Sequence, residues 1–478
     1  MIGRENEIKE LNRRYNSNKA EFVALYGRRR VGKTYLVNEL FKDRITFRHS
    51  GVSPIDISNE NALDVQLKQF YLSLQLHGIP ASRCPSNWAD AFFMLEKWLQ
   101  SVDDGTRQVV FLDEMPWMDT PKSGFISAFE SFWNGWGSSR SNLMVIVCGS
   151  ANSWIQDKLI NNYGGLYNRI TCQIKLSSFT LHECEQYCLD KGLEFSQYDI
   201  VQCYMMMGGI PYYMDYLKND LSLTQNVDDI FFAKNAPLKS EFDRLYDSIF
   251  ANPVMARQIV EFLGTKRIGY TRKEITERLG LTSGGNVTKV LDALVESDFA
   301  IKYIPFGEGK RQAKYKLTDP FCLFYLSFIK NKNQVNADFW KSSIDSQSVV
   351  VWKGIAFENV CFRHIDQIKS ALKIRGVRTK ESAWNRQGDK DNAGAQVDLL
   401  IERNDNVVNM CEIKFYSDEF KVDKAYDLVV KRRHNALKEM ISPKVSVYNT
   451  LITTYGLRKN EYSDVFVNVI TLDNLFDY

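Results

Sequence analysis

Gly27-Arg28-Arg29-Arg30-Val31-Gly32-Lys33-Thr34 is a complete G-x-x-x-x-G-K-[ST] loop, and its flanks decide how it reads. The apolar run Phe22-Val23-Ala24-Leu25-Tyr26 predicts a buried strand entering the loop. Tyr35-Leu36-Val37-Asn38-Glu39-Leu40-Phe41 predicts the helix leaving it. Glycines let such a backbone wrap an anion, with successive N–H groups aimed at phosphate oxygens. The helix N-terminus adds partial positive charge. Gly27 through Gly32 supply the cradle, Lys33 is spaced to reach β- and γ-phosphates, and the Thr34 hydroxyl to ligate Mg²⁺.

A phosphate loop becomes hydrolytic only when a carboxylate reaches the metal. Val109-Val110-Phe111-Leu112-Asp113-Glu114 predicts a buried parallel strand ending in two acids, at the end of an open α/β sheet where ligands sit. Asp113 is the expected metal ligand, directly or through water, and Glu114 the general base. A third apolar strand, starting at Leu143, ends at Gly149-Ser150. A hydroxyl there, or Asn152 nearby, could contact the γ-phosphate or the attacking water. Arg169 lies in a polar turn before the strand Cys172-Gln173-Ile174-Lys175-Leu176. It could neutralise the transferring phosphoryl group, in cis or from a neighbouring subunit, or be a solvated surface arginine.

These four segments, in this order, resemble the AAA+ superfamily, and within it the archaeal-type ATPases related to the origin-recognition and STAND clades. The opening Met1-Ile2-Gly3-Arg4-Glu5-Asn6-Glu7-Ile8-Lys9-Glu10-Leu11 is similar to that family's GRExEl box. Gly208-Gly209-Ile210-Pro211-Tyr212-Tyr213 is similar to its GGxPxY lid signature. The resemblance implies ATP as the nucleotide, Ile2 and Arg4 at the adenine, Ser150 as sensor and Arg169 as arginine finger. The lid motif itself offers no sensor arginine.

At 478 residues the chain is long enough for about three domains, and 44% apolar residues suffice for their cores. A net charge of +3 gives no global electrostatic argument for nucleic acid. The nine cysteines form no C-x-x-C pair. Their odd number predicts reduced thiols in a cytoplasmic protein, and Cys184 and Cys188 lack the second pair a zinc site needs. The chain has no apolar signal region and no run of 18 apolar residues, so no membrane partner is expected. The expected order is a P-loop AAA+ core over 1–175, a helical lid over 176–249, a winged helix over 250–330 and an α/β domain over 331–478.

The winged-helix expectation rests on Thr271 as N-cap, a helix to Gly280, a turn over Leu281–Gly285 and a second helix over Asn286–Val295. Val287, Val290, Leu291 and Leu294 share one face of that helix. A basic hairpin over Phe306–Gln312 follows. Asn286, Thr288, Lys289, Lys310 and Arg311 would face DNA, unless the module contacts only protein.

In the last third, Gln396-Val397-Asp398-Leu399-Leu400-Ile401 predicts a strand. After the turn Asn404-Asp405-Asn406, Val407–Phe415 predicts its hairpin partner, in which Glu412 and Lys414 share a face by their spacing of two. Asp398 can lie beside them. Two carboxylates on Mg²⁺ or Mn²⁺ with a nearby lysine can activate water against a phosphodiester. This pattern resembles the PD-(D/E)xK, restriction-endonuclease-like fold, in which Glu358 would be the helical acid and Asp398 and Glu412 the metal ligands. The helix Asp423–Met440, with Lys424, Lys431, Arg432, Arg433 and Lys438, could line a phosphate backbone or be a solvated face. The combined expectation is an ATP-driven, DNA-associated protein that controls a nuclease-like domain, a homo-oligomer if Arg169 acts in trans. The alternative is a STAND-like switch with a non-cleaving interaction module.

Overall fold

The computed structural model of the protein describes residues 1–53, 62–79, 83–150, 152–161, 164–247, 249–250, 252–282, 284–330, 336–386 and 395–477. They form two compact units. Met1–Ser178 and Asp243–Ala256 make the first; Phe179–Phe242 and Arg257–Tyr478 make the second. Residues 243–256, expected to divide between lid and winged helix, pack with the first unit. The segments expected as lid helices and winged helix, and the residues after them, lie mostly in the second. Among the described residues, no helix is long and apolar enough to cross a membrane.

In the first unit β1 (Glu21–Tyr26), β2 (Ile45–Ser50), β3 (Gln108–Asp113), β4 (Leu143–Gly149) and β5 (Cys172–Lys175) form a parallel sheet in the order β2-β3-β4-β1-β5. Every residue of β3 and β4 is buried, which explains their nearly unbroken apolar sequences. Tyr26 stands opposite Gly149 and Leu112 opposite Val147, so β1, β3 and β4 end side by side. The phosphate loop, Glu114 and Ser150 therefore leave one edge of the sheet. An aromatic core containing Phe22, Phe70, Trp88, Phe92, Phe125 and Phe129 anchors the helices Ala62–Leu76, Trp88–Ser101 and Phe125–Gly135. Some of its rings meet edge to face, as Trp88 does with Phe125 at 4.8 Å, and others stack, as Phe125 does with Phe129.

The second unit opens with the helices Leu181–Asp190 and Gln197–Met207. Each starts at a capping box, Thr180 with Glu183 and Ser196 with Asp199. The Gly-Gly pair that follows ends the second helix in left-handed backbone. A Cβ on Gly209 would lie 2.5 Å from the Phe179 carbonyl oxygen, so only glycine lets these chains approach.

Next come β6 (Tyr270–Thr271), the helices Arg272–Arg278 and Gly285–Glu296, β7 (Ala300–Tyr303) and β8 (Lys314–Leu317), with the sheet ordered β6-β8-β7. Thr271 caps its helix in a box with Glu274, and Val287, Val290, Leu291 and Leu294 are buried. Ser283, in the expected turn, lies outside the described residues. The terminal domain holds β9 (Thr379–Arg386), β10 (Ala395–Arg403), β11 (Val407–Lys414), β12 (Ser446–Thr453) and β13 (Asn468–Ile470), in the order β13-β12-β11-β10-β9. β9, β10 and β11 run antiparallel; β11, β12 and β13 run parallel. The helices Gln347–Arg363 and Lys424–Met440 bring side chains to this sheet.

Aromatic stacking and one histidine tie the lid helices to the terminal domain. Tyr198 stacks on Phe415 at 4.9 Å. The buried His364 accepts the Leu181 N–H at Nε2, 3.0 Å, while Nδ1 sits 2.8 Å from the Val360 carbonyl. Those partners require a neutral ring protonated at Nδ1. Burial lowers the His364 pKa from 6.5 to about 4.

Between those values the unfolded chain binds a proton that the native chain refuses. Stability at this group therefore falls as pH drops from about 6.5 toward 4. His49, buried in the first unit and lowered to about 3, acts in the same direction. Thermal unfolding across this range should show His364→Ala less stable than wild type at pH 7, by ~1–3 kcal/mol for the orphaned N–H. The variant should lose less stability on acidification. Equal acid losses in both proteins would show that His364 is not a source.

Candidate functional site

Strand β1 delivers Gly27 into a position only glycine can fill. A Cβ there would sit 2.1 Å from the Leu176 carbonyl oxygen. Arg30 and Gly32 adopt positive φ and turn the chain into the helix Lys33–Leu40. Lys33 is 5% exposed. Its ammonium donates to the carbonyls of Gly27 at 2.9 Å and Arg28 at 3.0 Å, and to Ser150 Oγ at 3.2 Å. Arg28 and Val31 are buried, and Arg29 and Arg30 half-buried.

The strands beside the loop complete the cluster. Thr34 Oγ1 lies 3.1 and 3.0 Å from the two oxygens of Asp113. A hydroxyl beside a carboxylate is a hard-oxygen pair of the kind Mg²⁺ takes, so these residues fit that ion. Glu114 accepts the Ser150 N–H at 3.0 Å and its Oγ–H at 2.6 Å. One hydroxyl thus accepts from Lys33 and donates to Glu114. Cys148, which sequence reasoning does not assign, donates Sγ–H to Asp113 at 2.8 Å. Burial pushes its thiol pKa well up, which keeps it a donor. Only the β3/β4 register reveals that pairing.

Of the remaining expected residues, Arg4 is buried and donates to the Val31 carbonyl at 3.1 Å, packing the N-terminal box on the loop. Ile2 is half-buried, and Arg169 is exposed in the turn before β5. The side chain of Asn152 lies outside the described residues.

In the terminal domain the hairpin register runs to Leu399 opposite Cys411, so Asp398 and Glu412 each come next after the last pair. The β9/β10 pairing, however, shifts between Val397 and Leu400. Val397 and Leu400 both enter one apolar cluster, although three residues apart on a regular strand would put them on opposite faces. The bulge at Asp398 re-aims that side chain. Asp398 and Glu358, from the helix Gln347–Arg363, are bridged by Arg267. Arg267 Nε donates to Glu358 at 2.7 Å, and its Nη2 donates to both Glu358 and Asp398.

Glu412 is fully buried and held separately. Arg433 Nη1 donates to its two oxygens at 2.6 and 2.7 Å, and the Tyr426 hydroxyl donates at 2.9 Å. Lys414 lies 3.8 Å from Glu412 on the shared strand face, a third exposed. Burial, reinforced by Asp398, raises the Glu358 pKa to about 7 despite Arg267 and Lys316. Lys316 is buried beside the same acids.

The structure therefore pairs Glu358 with Asp398 and Glu412 with Lys414, and answers each pair with an arginine. Among the described residues, no group of three or more His, Cys, Asp or Glu side chains is gathered to hold a metal ion. As arranged, the terminal acids do not fit a divalent cation. Arg267 carries no sequence signal, because it lies 91 and 131 residues from its partners. Arg433 belongs to the expected basic helix, but its partner cannot be read there. Of the five residues expected to face DNA, Asn286, Lys289, Lys310 and Arg311 are exposed, whereas Thr288 accepts from Arg272 Nε at 3.0 Å.

Comparisons with known proteins bear on the first unit most directly. Residues 1–217 match the family described as an ATPase domain predominantly from Archaea. An uncharacterized protein of Methanocaldococcus jannaschii is 22% identical over 419 residues, 87% of each chain. An uncharacterized ATP-binding protein of the same organism is 44% identical over 44 residues, 9% of this chain and 75% of its own. Among solved structures, a Walker-type ATPase of Pyrococcus abyssi is 16% identical, with a TM-score of 0.46, covering 68% of this chain and 96% of that one. The Aeropyrum pernix ORC2 protein is 12% identical, with a TM-score of 0.44, covering 76% and 95%.

The geometry separates nucleotide binding from turnover. Lys33→Ala should abolish nucleotide binding, read by equilibrium titration with a fluorescent ATP analogue. Glu114→Gln should keep that affinity and slow phosphate release ~10²–10⁴-fold, because it removes a base and leaves the cradle. A Glu114→Gln protein that hydrolyses ATP at the wild-type rate would refute the assignment.

Proposed function

We propose, from the match of residues 1–217 to an ATPase domain predominantly from Archaea, that the protein is an ATP-driven, DNA-associated machine whose terminal domain is nuclease-like. The observation that carries the ATP-driven part is the convergence of Lys33, Thr34, Asp113, Glu114 and Ser150 at one sheet edge. Lys33 exchanges the Gly27 and Arg28 carbonyls for β- and γ-phosphate oxygens. Thr34 and Asp113 would hold Mg²⁺, which neutralises phosphate charge when bound. Glu114 takes the proton of the attacking water, and Ser150 reports the state of Lys33 to Glu114 through its one hydroxyl. Arg169 acts as a finger on the charge that develops in the transition state, supplied to a neighbouring copy or within the chain.

DNA association is supported by the helix–turn–helix and wing with exposed Lys289, Lys310 and Arg311. Coupling is supported by the second unit, in which lid helices, wing and terminal domain pack as one body. Changes that ATP drives in the lid helices can thereby reach the terminal acids. The hairpin with Asp398, Glu412 and Lys414 and the helical Glu358 support the nuclease-like reading. A second reading, a regulatory switch with a non-cleaving terminal module, is favoured by the arginine pairing of those acids. Wild type and Asp398→Ala compared on DNA and RNA substrates with Mg²⁺ or Mn²⁺ separate the two, since only a nuclease loses cleavage.

Replacing Lys289, Lys310 and Arg311 by Ala should weaken duplex DNA binding at all sequences. It should also flatten the salt dependence by about 0.9 in log K per log salt for each phosphate the variant no longer neutralises. An unchanged slope would remove this surface from the DNA interface. Arg169→Ala should lower ATP turnover more than nucleotide affinity. If the finger acts on a neighbour, turnover per chain should rise with protein concentration in wild type and not in the variant.

A further inference from the structure

We propose that Arg267 is a resident cation of the Glu358–Asp398 pair, by which the winged-helix segment keeps the terminal site closed to divalent ions. Such a latch deepens the nuclease-like reading and rests on it for its consequence. Two of the expected acids, Glu358 and Asp398, meet, and a guanidinium stands between them.

The bridge has the chemistry of substitution. A single side chain meets carboxylates from two elements, the helix Gln347–Arg363 and strand β10. Both carboxylates are largely withdrawn from water, Glu358 7% exposed and Asp398 9% at the side chain. Two such acids side by side need a positive partner, because each disfavours the other's charge. Either a guanidinium or a divalent ion can meet that need, and the two cannot share the position. Lys316, buried on β8, adds a second positive charge from the same segment.

The latch is built to move with the wing. Arg267 lies just before β6, and the Tyr303 hydroxyl of β7 donates to the neighbouring Ile268 carbonyl at 2.7 Å. The wing also grips the terminal domain directly. The Phe306 N–H donates to the Ala383 carbonyl at 3.2 Å, and the Phe306 ring packs on the terminal apolar cluster. Displacing the wing therefore withdraws Arg267 and Lys316 together. The bulge at Asp398 serves this arrangement, since it aims the acid at Arg267. A purely structural ion pair would show the same geometry. It would leave no cation site behind when broken.

The test uses the full chain without nucleotide and Mn²⁺ as probe, with bound ion counted by electron paramagnetic resonance. Arg267→Ala should bind one more Mn²⁺ per chain than wild type, at least tenfold more tightly, and lose it again when Asp398→Asn is added. Mn²⁺ should raise the thermal midpoint of Arg267→Ala and leave that of wild type unchanged. Arg267→Gln, which keeps a polar side chain of similar reach, should behave alike. If the arginine variants do not fold, Phe306→Ala, which loosens the wing without touching the acids, should give a smaller gain in Mn²⁺ and decides the matter. Equal Mn²⁺ binding in wild type and the folded variants overturns the proposal, whether both bind or neither does. A gain in Mn²⁺ without cleavage of any DNA or RNA leaves the latch standing and sinks the nuclease reading instead.

Discussion

A charge taken out of water must be met by an opposite charge or by oriented dipoles, at a cost of several kcal/mol if it is not. Lys33, Asp113, Glu358 and Glu412 are all buried, and each sits where the fold supplies such a partner. In the first unit the partners are local in space and small: two loop carbonyls, a serine hydroxyl, a threonine hydroxyl and a thiol. All are groups that a phosphate or a metal ion can replace. In the second unit the partners are guanidinium groups. These satisfy carboxylates more completely and yield them less readily.

The first cluster depends on strand register. Because β1, β3 and β4 end together, the residue after each strand arrives at the same place. Ser150 follows β4 and stands between the lysine of one element and the glutamate after another. A parallel sheet of different order would have left the same motifs separated. The aromatic core packs beneath that sheet, and left-handed backbone at Arg30, Gly32 and Glu114 sets how the chain leaves it.

The second unit holds its parts together by side-chain contacts between them. His364 accepts from the first lid helix, Tyr198 stacks on Phe415, and Asp228 accepts the Trp340 N–H at 2.7 Å. Trp340 in turn packs with Phe324, Phe328 and Trp352.

The sequence by itself determined the elements and their local chemistry. The phosphate loop, the two acids ending β3 and the capping boxes are runs of adjacent residues whose meaning lies in propensity, periodicity and spacing. Glu412 and Lys414 share a face because strand geometry has a period of two. Tertiary structure alone decided which charges meet. Arg267 reaches acids 91 and 131 residues away, and Arg433, in the helix Lys424–Met440, reaches Glu412 on β11. The one-residue bulge at Asp398 leaves no mark in the sequence of the strand Ala395–Arg403. It nevertheless turns the acid toward Arg267, because a shift of one residue exchanges the faces of a β-strand. Composition and spacing record what a residue can do; the long-range pairing of buried charges selects what it does.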